Sequence, residues 1–110
     1  MRQEVLGGSR FAVVTNFDDN YEVGFLCAAS TELYCRQWEY GFFPCVLSKD
    51  SMAEICCGRH FAWAKLMLFA WLFTPEMCPK GARKVFDRWL GETGRIDLLQ
   101  NYDYIVWIDG

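Results

Sequence analysis

The pattern of apolar and polar positions predicts three short strands separated by helices. Mostly apolar runs at 11–15, 42–47 and 104–108 have the length and composition of strands buried in a parallel sheet. Between the first two runs, small and apolar residues recur at helical spacing, which predicts a helix with one buried face. The inward positions of this helix are predicted to be Val23, Leu26, Cys27, Ser30, Leu33 and Tyr34.

Local signals predict the two ends of the first helix and the position of the second strand in the sheet. Asp19 with Glu22 three residues later has the form of a capping box, so the helix is expected to begin near Asn20. Gly41 is expected to end it. Pro44 lacks a backbone donor inside the second strand, so this strand is expected at a sheet edge or at a bulge.

The second half of the chain predicts further helices. Residues 48–58 are interpreted as a loop or a short helix. Residues 59–74 are apolar nearly all round, which predicts a helix that is covered on more than one side and stopped by Pro75. Residues 82–90 predict a short helix, and residues 96–99 a further helical turn before the last strand.

These elements predict a single α/β domain. A strand, a helix and a strand within about forty residues form a βαβ unit, whose crossover is right-handed in nearly all proteins. We expect a three-layer, Rossmann-like fold in which a short parallel sheet is flanked by helices. The predicted strand order is second, first, third, because that order brings Thr15 and Asp109 to one sheet edge. Residues 10–110 form this domain, and residues 1–9 are interpreted as a flexible lead-in.

Composition excludes several classes of function. The chain has 110 residues and a net charge of -3 without a basic run, so nucleic acid is not an expected partner. The longest apolar segment, 61–73, is interrupted by Lys65 and is shorter than the ~20 residues that cross a bilayer. Residues 1–9 lack the apolar core of a signal peptide. Hydrophobic residues make up 53% and aromatics 17%, which predicts surface that needs a partner.

The six cysteines do not form a recognisable metal or redox motif. No C-x-x-C pair occurs and there is one histidine, which excludes the usual zinc patterns. Most of the cysteines are expected to be small buried hydrophobic residues. The adjacent pair Cys56-Cys57 is the exception, since it precedes a helix where a thiolate could be stabilised.

The last strand ends in a carboxylate. The unbroken apolar run 104–108 predicts a strand that is buried on both faces, and Asp109 follows this strand directly. A carboxylate at that position must be solvated, paired or bound to a metal, because burying it alone is costly. Ligands of open α/β sheets bind at this edge. The simpler alternative is an ordinary Asp-Gly turn.

Several segments together resemble a known family. They are Thr15-Asn16 after the first strand, Ala28-Ala29-Ser30 and Tyr34-Cys35 in the first helix, Trp63-Ala64-Lys65-Leu66, and the closing stretch 102–109. This combination resembles the nucleotide-binding half of GT-A fold glycosyltransferases, and within them the galactosyl- and xylosyltransferase family. The Trp-x-Lys and strand-Asp elements are the specific part of the resemblance.

The resemblance implies a donor site for a nucleoside-diphosphate sugar. Family members carry an Asp-x-Asp motif that binds Mn²⁺ or Mg²⁺, and the metal stabilises the charge on the leaving diphosphate. Asp109 matches the first aspartate, whereas the second is absent, so the implied metal site is partial. Thr15 and Asn16 stand where the base and ribose bind. Lys65 is implied to reach the phosphates, with a snorkelling lysine as the alternative.

We therefore expect a fragment of a metal-dependent glycosyltransferase, inactive on its own, from an enzyme family of the secretory pathway (Golgi). The alternative is a noncatalytic α/β interaction module that associates through its aromatic-rich surface. Under the fragment hypothesis, self-association through an exposed edge of the last strand is expected. A sugar-nucleotide nucleotidyltransferase would carry a glycine-rich, basic loop after the first strand, and residues 16–20 are neither glycine-rich nor basic.

Overall fold

Three parallel strands form the centre of the molecule. A computed structural model of the chain describes residues 10–56, 59–60 and 62–108. Strands β1 (Phe11–Asp18), β2 (Gly41–Leu47) and β3 (Tyr104–Trp107) form one sheet in the order β2-β1-β3. β1 pairs in parallel with both neighbours. The α/β class, the parallel sheet and the strand order predicted from the sequence are thereby confirmed, as is the edge position of the strand that contains Pro44.

Helices cover both faces of the sheet. Val13 and Phe17 of β1 lie on the α1 side, whereas Ala12 and Val14 lie in the large core on the other face, with α2 to α5. Consecutive residues of a strand point to opposite faces, so β1 serves both layers. The helices are α1 (Glu22–Trp38), α2 (Lys49–Cys56), α3 (Trp63–Phe73), α4 (Lys80–Trp89) and α5 (Gly91–Asn101), with a 3₁₀ turn at Pro75–Met77.

Two tryptophan indoles hold α4 in the core. Nε1 of Trp71 donates to Oδ1 of Asp87 at 2.9 Å, and Nε1 of Trp89 donates to the Pro44 carbonyl at 3.0 Å. Both bonds satisfy donors that burial would otherwise leave without a partner. Because Pro44 belongs to β2, the second bond ties α4 to the sheet. The largest fully buried side chains are Trp71, Phe86, Ile55, Leu68, Leu72 and Leu98.

The predicted capping box of the first helix is wrong. α1 begins at Glu22, with Tyr21 at the N-cap and no side-chain capping bond. Oδ1 of Asp18 instead accepts the backbone N–H of Asn20 at 2.9 Å, so the local aspartate stabilises the turn that leaves β1. Such turns compete with capping for the same side chains.

The predicted role of Gly41 as helix terminator is also wrong. α1 ends at Trp38, and Glu39 takes the left-handed conformation (φ 61°) that usually falls to glycine. Gly41 lies in β2, where a Cβ would overlap the Tyr102 side chain. Glycine is required there by a close approach between elements rather than by a helix end.

The buried face of α1 differs from the predicted one. Gly24 and Cys35 are buried against the sheet, whereas the predicted inward residues Val23, Leu26 and Leu33 are 52%, 70% and 65% exposed. The remaining predicted positions Cys27, Ser30 and Tyr34 are exposed as well. The helical period is as predicted, but the buried face is rotated by about a third of a turn from the predicted one. Small residues such as Gly24 face the sheet because α1 lies close to Phe17.

Two further elements are less buried than the sequence predicted. Tyr104 and Val106 of β3 are 56% and 40% exposed, so β3 is not buried on both faces. α1 packs over β1 and β2 and leaves this side of β3 uncovered. In α3 one face is buried, but Trp63, Leu66 and Phe73 on the rest of the helix are exposed. The prediction that α3 is covered on more than one side is therefore wrong.

In the second half of the chain, some helix boundaries agree with the prediction and others differ from it. The segment interpreted as a loop or short helix forms α2, and Pro75 follows the end of α3 as predicted. The single turn predicted at 96–99 belongs to the 11-residue helix α5, which begins at Gly91 with φ 80°. In the part of the chain that the structure describes, none of these helices combines the length and hydropathy needed to cross a bilayer.

The cysteines behave mainly as small hydrophobic residues. Cys35, Cys45, Cys56 and Cys78 are buried, Cys27 is exposed, and no disulfide joins these five described cysteines. Burial raises the pKa of the Cys45 thiol to about 12 and also raises the pKa of Cys35. Thiols with raised pKa values are poor nucleophiles. Cys57, one half of the adjacent pair considered reactive, lies outside the described residues.

We predict that Gly24→Ala destabilises the protein by about 1–3 kcal/mol, because the added Cβ would lie 2.6 Å from the buried Phe17 ring. Gly81→Ala is the matched control: it also lies in a helix, but its Cβ would meet the flexible end of Glu54 at 3.0 Å. That variant should be more stable by roughly 0.5–1 kcal/mol. Urea denaturation measures both. Equal effects of the two substitutions would contradict the close packing of α1 on β1.

Candidate functional site

A cavity of about 740 Å³ opens at the carboxyl edge of the sheet. Its size lies within the range of small-molecule sites. The lining is largely apolar and aromatic, with a few polar and charged side chains at the strand ends and helix starts. The lining residues are Asn16, Phe17, Asp18, Tyr21, Met52, His60, Ala62, Ala64, Lys65 and Trp107.

The topology of the sheet explains the position of this cavity. The chain leaves β1 toward β2 on one side, while β3 pairs with the opposite side of β1. In open α/β sheets such a change of direction leaves a crevice beyond the carboxyl ends of the two strands involved. Asn16 and Asp18 end β1 and Trp107 ends β3, and all three line the cavity. The cavity therefore occupies the usual ligand position of this fold class.

Asn16 is held in one orientation by its neighbour strand. Its Nδ2 donates to the carbonyl oxygen of Cys45 at 2.9 Å. A carbonyl can only accept, so the amide nitrogen must face Cys45 and the amide oxygen must point away from it. Asn16 thus presents a fixed acceptor on the wall of the cavity. The same amide opposes the effect of burial on the Cys45 thiol, whose pKa nevertheless remains raised to about 12.

The start of α3 makes one wall of the cavity electropositive. Lys65 lies in the first turn of α3, and Ala62 at the N-cap supplies no side-chain hydrogen bond to the helix end. The first turn of a helix carries partial positive charge from its backbone N–H groups, of which that of Trp63 donates to the His60 carbonyl at 2.9 Å. Nδ1 of His60 accepts the N–H of Ala62 at 3.1 Å, which orients the imidazole on the same wall. This wall favours an anionic ligand.

Thr15 and Asn16 are adjacent in sequence but are not brought to the same place. Asn16 lines the cavity, whereas Thr15 points to the α1 face of β1 and is 3% exposed. Oγ1 of Thr15 has no hydrogen-bond partner among the described residues. Strand geometry separates consecutive side chains in this way. A ligand contact of Thr15 stays a prediction.

The predicted metal ligand, Asp109, lies outside the described residues. The strand that precedes it does reach the cavity, since the N–H of Ile108 donates to the Val14 carbonyl at 3.0 Å and Trp107 lines the wall. Asp18 is the one carboxylate among the described lining residues. Across residues 10–56, 59–60 and 62–108, no three His, Cys, Asp or Glu side chains are grouped to hold a metal ion. The described donor set by itself does not fit a divalent cation.

Sequence reasoning missed part of the cavity wall. Asp18, Tyr21 and His60 line the cavity but are not among the site residues that the sequence predicted. The position of Asp18 at the carboxyl end of a parallel strand was the signal that could have identified it. Tyr21 and His60 come from segments without a recognisable motif, so only the tertiary structure brings them to the cavity.

The chain was compared with models of protein families, with characterised proteins and with solved structures, and no match was found. Function must therefore be argued from the cavity and its lining residues.

We predict that Asn16→Ala lowers the free energy of unfolding by about 1 kcal/mol, because the Cys45 carbonyl loses its side-chain donor in a partly buried place. Asn20→Ala is the control, since Asn20 is exposed and takes part in its turn through the backbone N–H. Chemical denaturation of both variants tests the difference. If Asn16→Ala were as stable as Asn20→Ala, the hydrogen bond would not hold the amide in place.

Proposed function

We propose that the cavity binds the nucleoside diphosphate of a sugar nucleotide, and that the chain is the donor-binding part of a glycosyltransferase. The proposal depends on one observation above all: a cavity at the carboxyl ends of β1 and β3 carries Asn16 and Lys65 on its wall. Both residues belong to the segments that resemble GT-A enzymes. The fold class is the one in which nucleotides bind at this edge.

The chemistry of the cavity suits the two parts of a nucleotide. The apolar and aromatic part of the wall, which includes Tyr21 and Trp107, suits a planar base. The oriented amide of Asn16 offers an acceptor for a base N–H or a ribose hydroxyl. Lys65 and the positive end of the α3 dipole suit the negative charge of a diphosphate.

In this proposal the described residues bind the donor, and none of them is assigned to the transfer step. The family that the chain resembles uses two aspartates of an Asp-x-Asp motif to hold Mn²⁺ or Mg²⁺, and Asp109 matches the first of them. We assign no catalytic step to the metal, because the described residues do not form a site for it. A location in the secretory pathway is part of the same proposal.

A second candidate belongs to a different class, a noncatalytic α/β interaction module. It is favoured by the exposed apolar side chains of α1 and β3, among them Leu26, Leu33 and Tyr104. Such surfaces commonly mark protein contacts. The two candidates differ in the cavity: the module has no need of a nucleotide there, whereas the donor site requires one.

We predict that the chain binds uridine or guanosine diphosphate weakly in calorimetric titration, and that Lys65→Ala weakens this binding about tenfold, or ~1.4 kcal/mol. Lys84→Ala is the matched control, because Lys84 is an exposed lysine on α4 that does not line the cavity. Equal affinity in both variants would mean that Lys65 only extends into solvent. Absence of binding at millimolar nucleotide would refute the donor site and favour the interaction module.

The metal part of the proposal has its own test. Any gain in nucleotide affinity on adding Mn²⁺ is expected to be small with a single aspartate, and Asp109→Ala should abolish it. Asp97→Ala, which removes an exposed carboxylate on α5, should leave the gain unchanged. If the Mn²⁺-dependent increase in nucleotide affinity persisted in Asp109→Ala, Asp109 would be a residue of an ordinary Asp-Gly turn and not a metal ligand.

A further inference from the structure

One apolar surface of the molecule extends over two elements that the chain leaves uncovered. On α1 it consists of side chains directed away from the sheet or toward β3, and on β3 it consists of those on the α1 side. We call this the α1–β3 surface. Its main residues are Leu26, Leu33 and Tyr34 on α1, and Tyr104, Val106 and Ile108 on β3.

A line of ring contacts makes this surface continuous. Tyr34 of α1 lies 6.1 Å from Tyr40, Tyr40 lies 5.2 Å from Phe11, and Phe11 stacks on Tyr104 of β3 at 5.2 Å. The rings therefore lead from the flank of α1 across β1 to β3. α1 itself covers β1 and β2, and the position over β3 that a second helix would occupy is left empty by the described elements.

The extent of the surface is unusual for a monomer. Its six side chains are between 38% and 70% exposed. Large apolar side chains of this exposure amount to several hundred Å² together, which is as much as the largest patch of a typical soluble monomer. It is also of the order of the roughly 800 Å² that each partner buries in a standard interface.

Two of the three charged side chains of α1 lie away from this surface, whereas Glu22 lies one helical turn before Leu26 on the same side of the helix. Glu32 and Arg36 form an ion pair with 3.2 Å between their side-chain atoms, on the flank of the helix turned from β3. The run 104–108 of β3 contains no charged residue, no proline and no glycine, whereas the other sheet edge carries Pro44. Apart from Glu22, the residues of α1 and β3 that form this surface are uncharged, although the chain as a whole is negatively charged.

We propose that two copies of this chain associate face to face through the α1–β3 surface. The α1 helix of each copy fills the empty position over β3 of the other. Each α1 then contacts its own sheet through the small residues around Gly24, and contacts the partner sheet through Leu26 and Leu33 on its far side. Such an arrangement is closed and two-fold symmetric, as most homodimers are.

This association leaves the candidate donor site open. Asn16 and Lys65 lie on the opposite side of the sheet from α1, so two copies can pair whether or not a nucleotide binds. The proposal therefore stands or falls independently of the proposed function.

Sedimentation velocity with light scattering tests this association on residues 1–110. The wild-type chain is expected at twice 12.8 kDa in the micromolar range. Leu26→Glu should raise the dissociation constant at least tenfold, because it places a charge in the buried contact. Met77→Glu is the matched control, since Met77 is 76% exposed on the turn that follows α3 and lies outside the surface. Circular dichroism confirms that each variant is folded.

A complementation experiment makes the test specific for this arrangement. Leu26→Glu and Val106→Lys are each expected to be monomeric, whereas an equal mixture should form heterodimers, because one half of the interface then pairs Glu with Lys and the other half is unchanged. A wild-type chain that stays monomeric at high concentration would overturn the proposal and leave the surface to a different partner. A dimer that responds equally to Leu26→Glu and Met77→Glu, or a mixture that fails to pair, would overturn it as well.

Discussion

The central strand β1 is the element on which the rest of the structure depends. It pairs with a neighbour on each side, and Ala12, Val13, Val14 and Phe17 are buried on one face or the other. Backbone groups of such a strand are satisfied within the sheet, so its burial costs no unpaired polar groups along the ladder. Side chains of β1 that point to one face pack into the large core with α2 to α5. Side chains that point to the other face determine how closely α1 can approach.

The close approach of α1 explains why the two faces of the sheet differ. Gly24 lies directly against Phe17, and small residues along the same stripe let the helix backbone approach the sheet. The large apolar residues of α1 are turned aside by this packing and remain exposed. On the other face, four helices enclose Trp71, Phe86 and their neighbours completely. One layer is therefore well covered within the chain, while the other leaves apolar surface exposed.

The cavity follows from the same central strand. β1 and β3 end side by side, and the helices of the large layer stand back from their carboxyl ends far enough to leave space. The amide of Asn16 is oriented there by the Cys45 carbonyl of β2, which is a contact between strands 29 residues apart in sequence. A polar group held in this way loses little conformational freedom when a ligand binds, which favours specific recognition.

The sequence by itself determined the elements and their order. Short apolar runs, helical periodicity and Pro75 identified the three strands, the approximate positions of the main helices and the end of α3, because these signals are local. The βαβ pattern then led to the parallel sheet, and the expectation that Thr15 and Asp109 share one sheet edge led to the strand order. Asn16 was placed at the carboxyl edge by its position at the end of the first strand, whereas the role of Lys65 came from the resemblance to GT-A enzymes. Only the tertiary structure decided which face of α1 is buried, since apolar periodicity specifies a stripe but not the small residues on which a helix packs. It also decided that Gly41 makes room for Tyr102, and that Tyr21 and His60 join the cavity. Each of these depends on contacts between segments distant in sequence, which no local pattern contains.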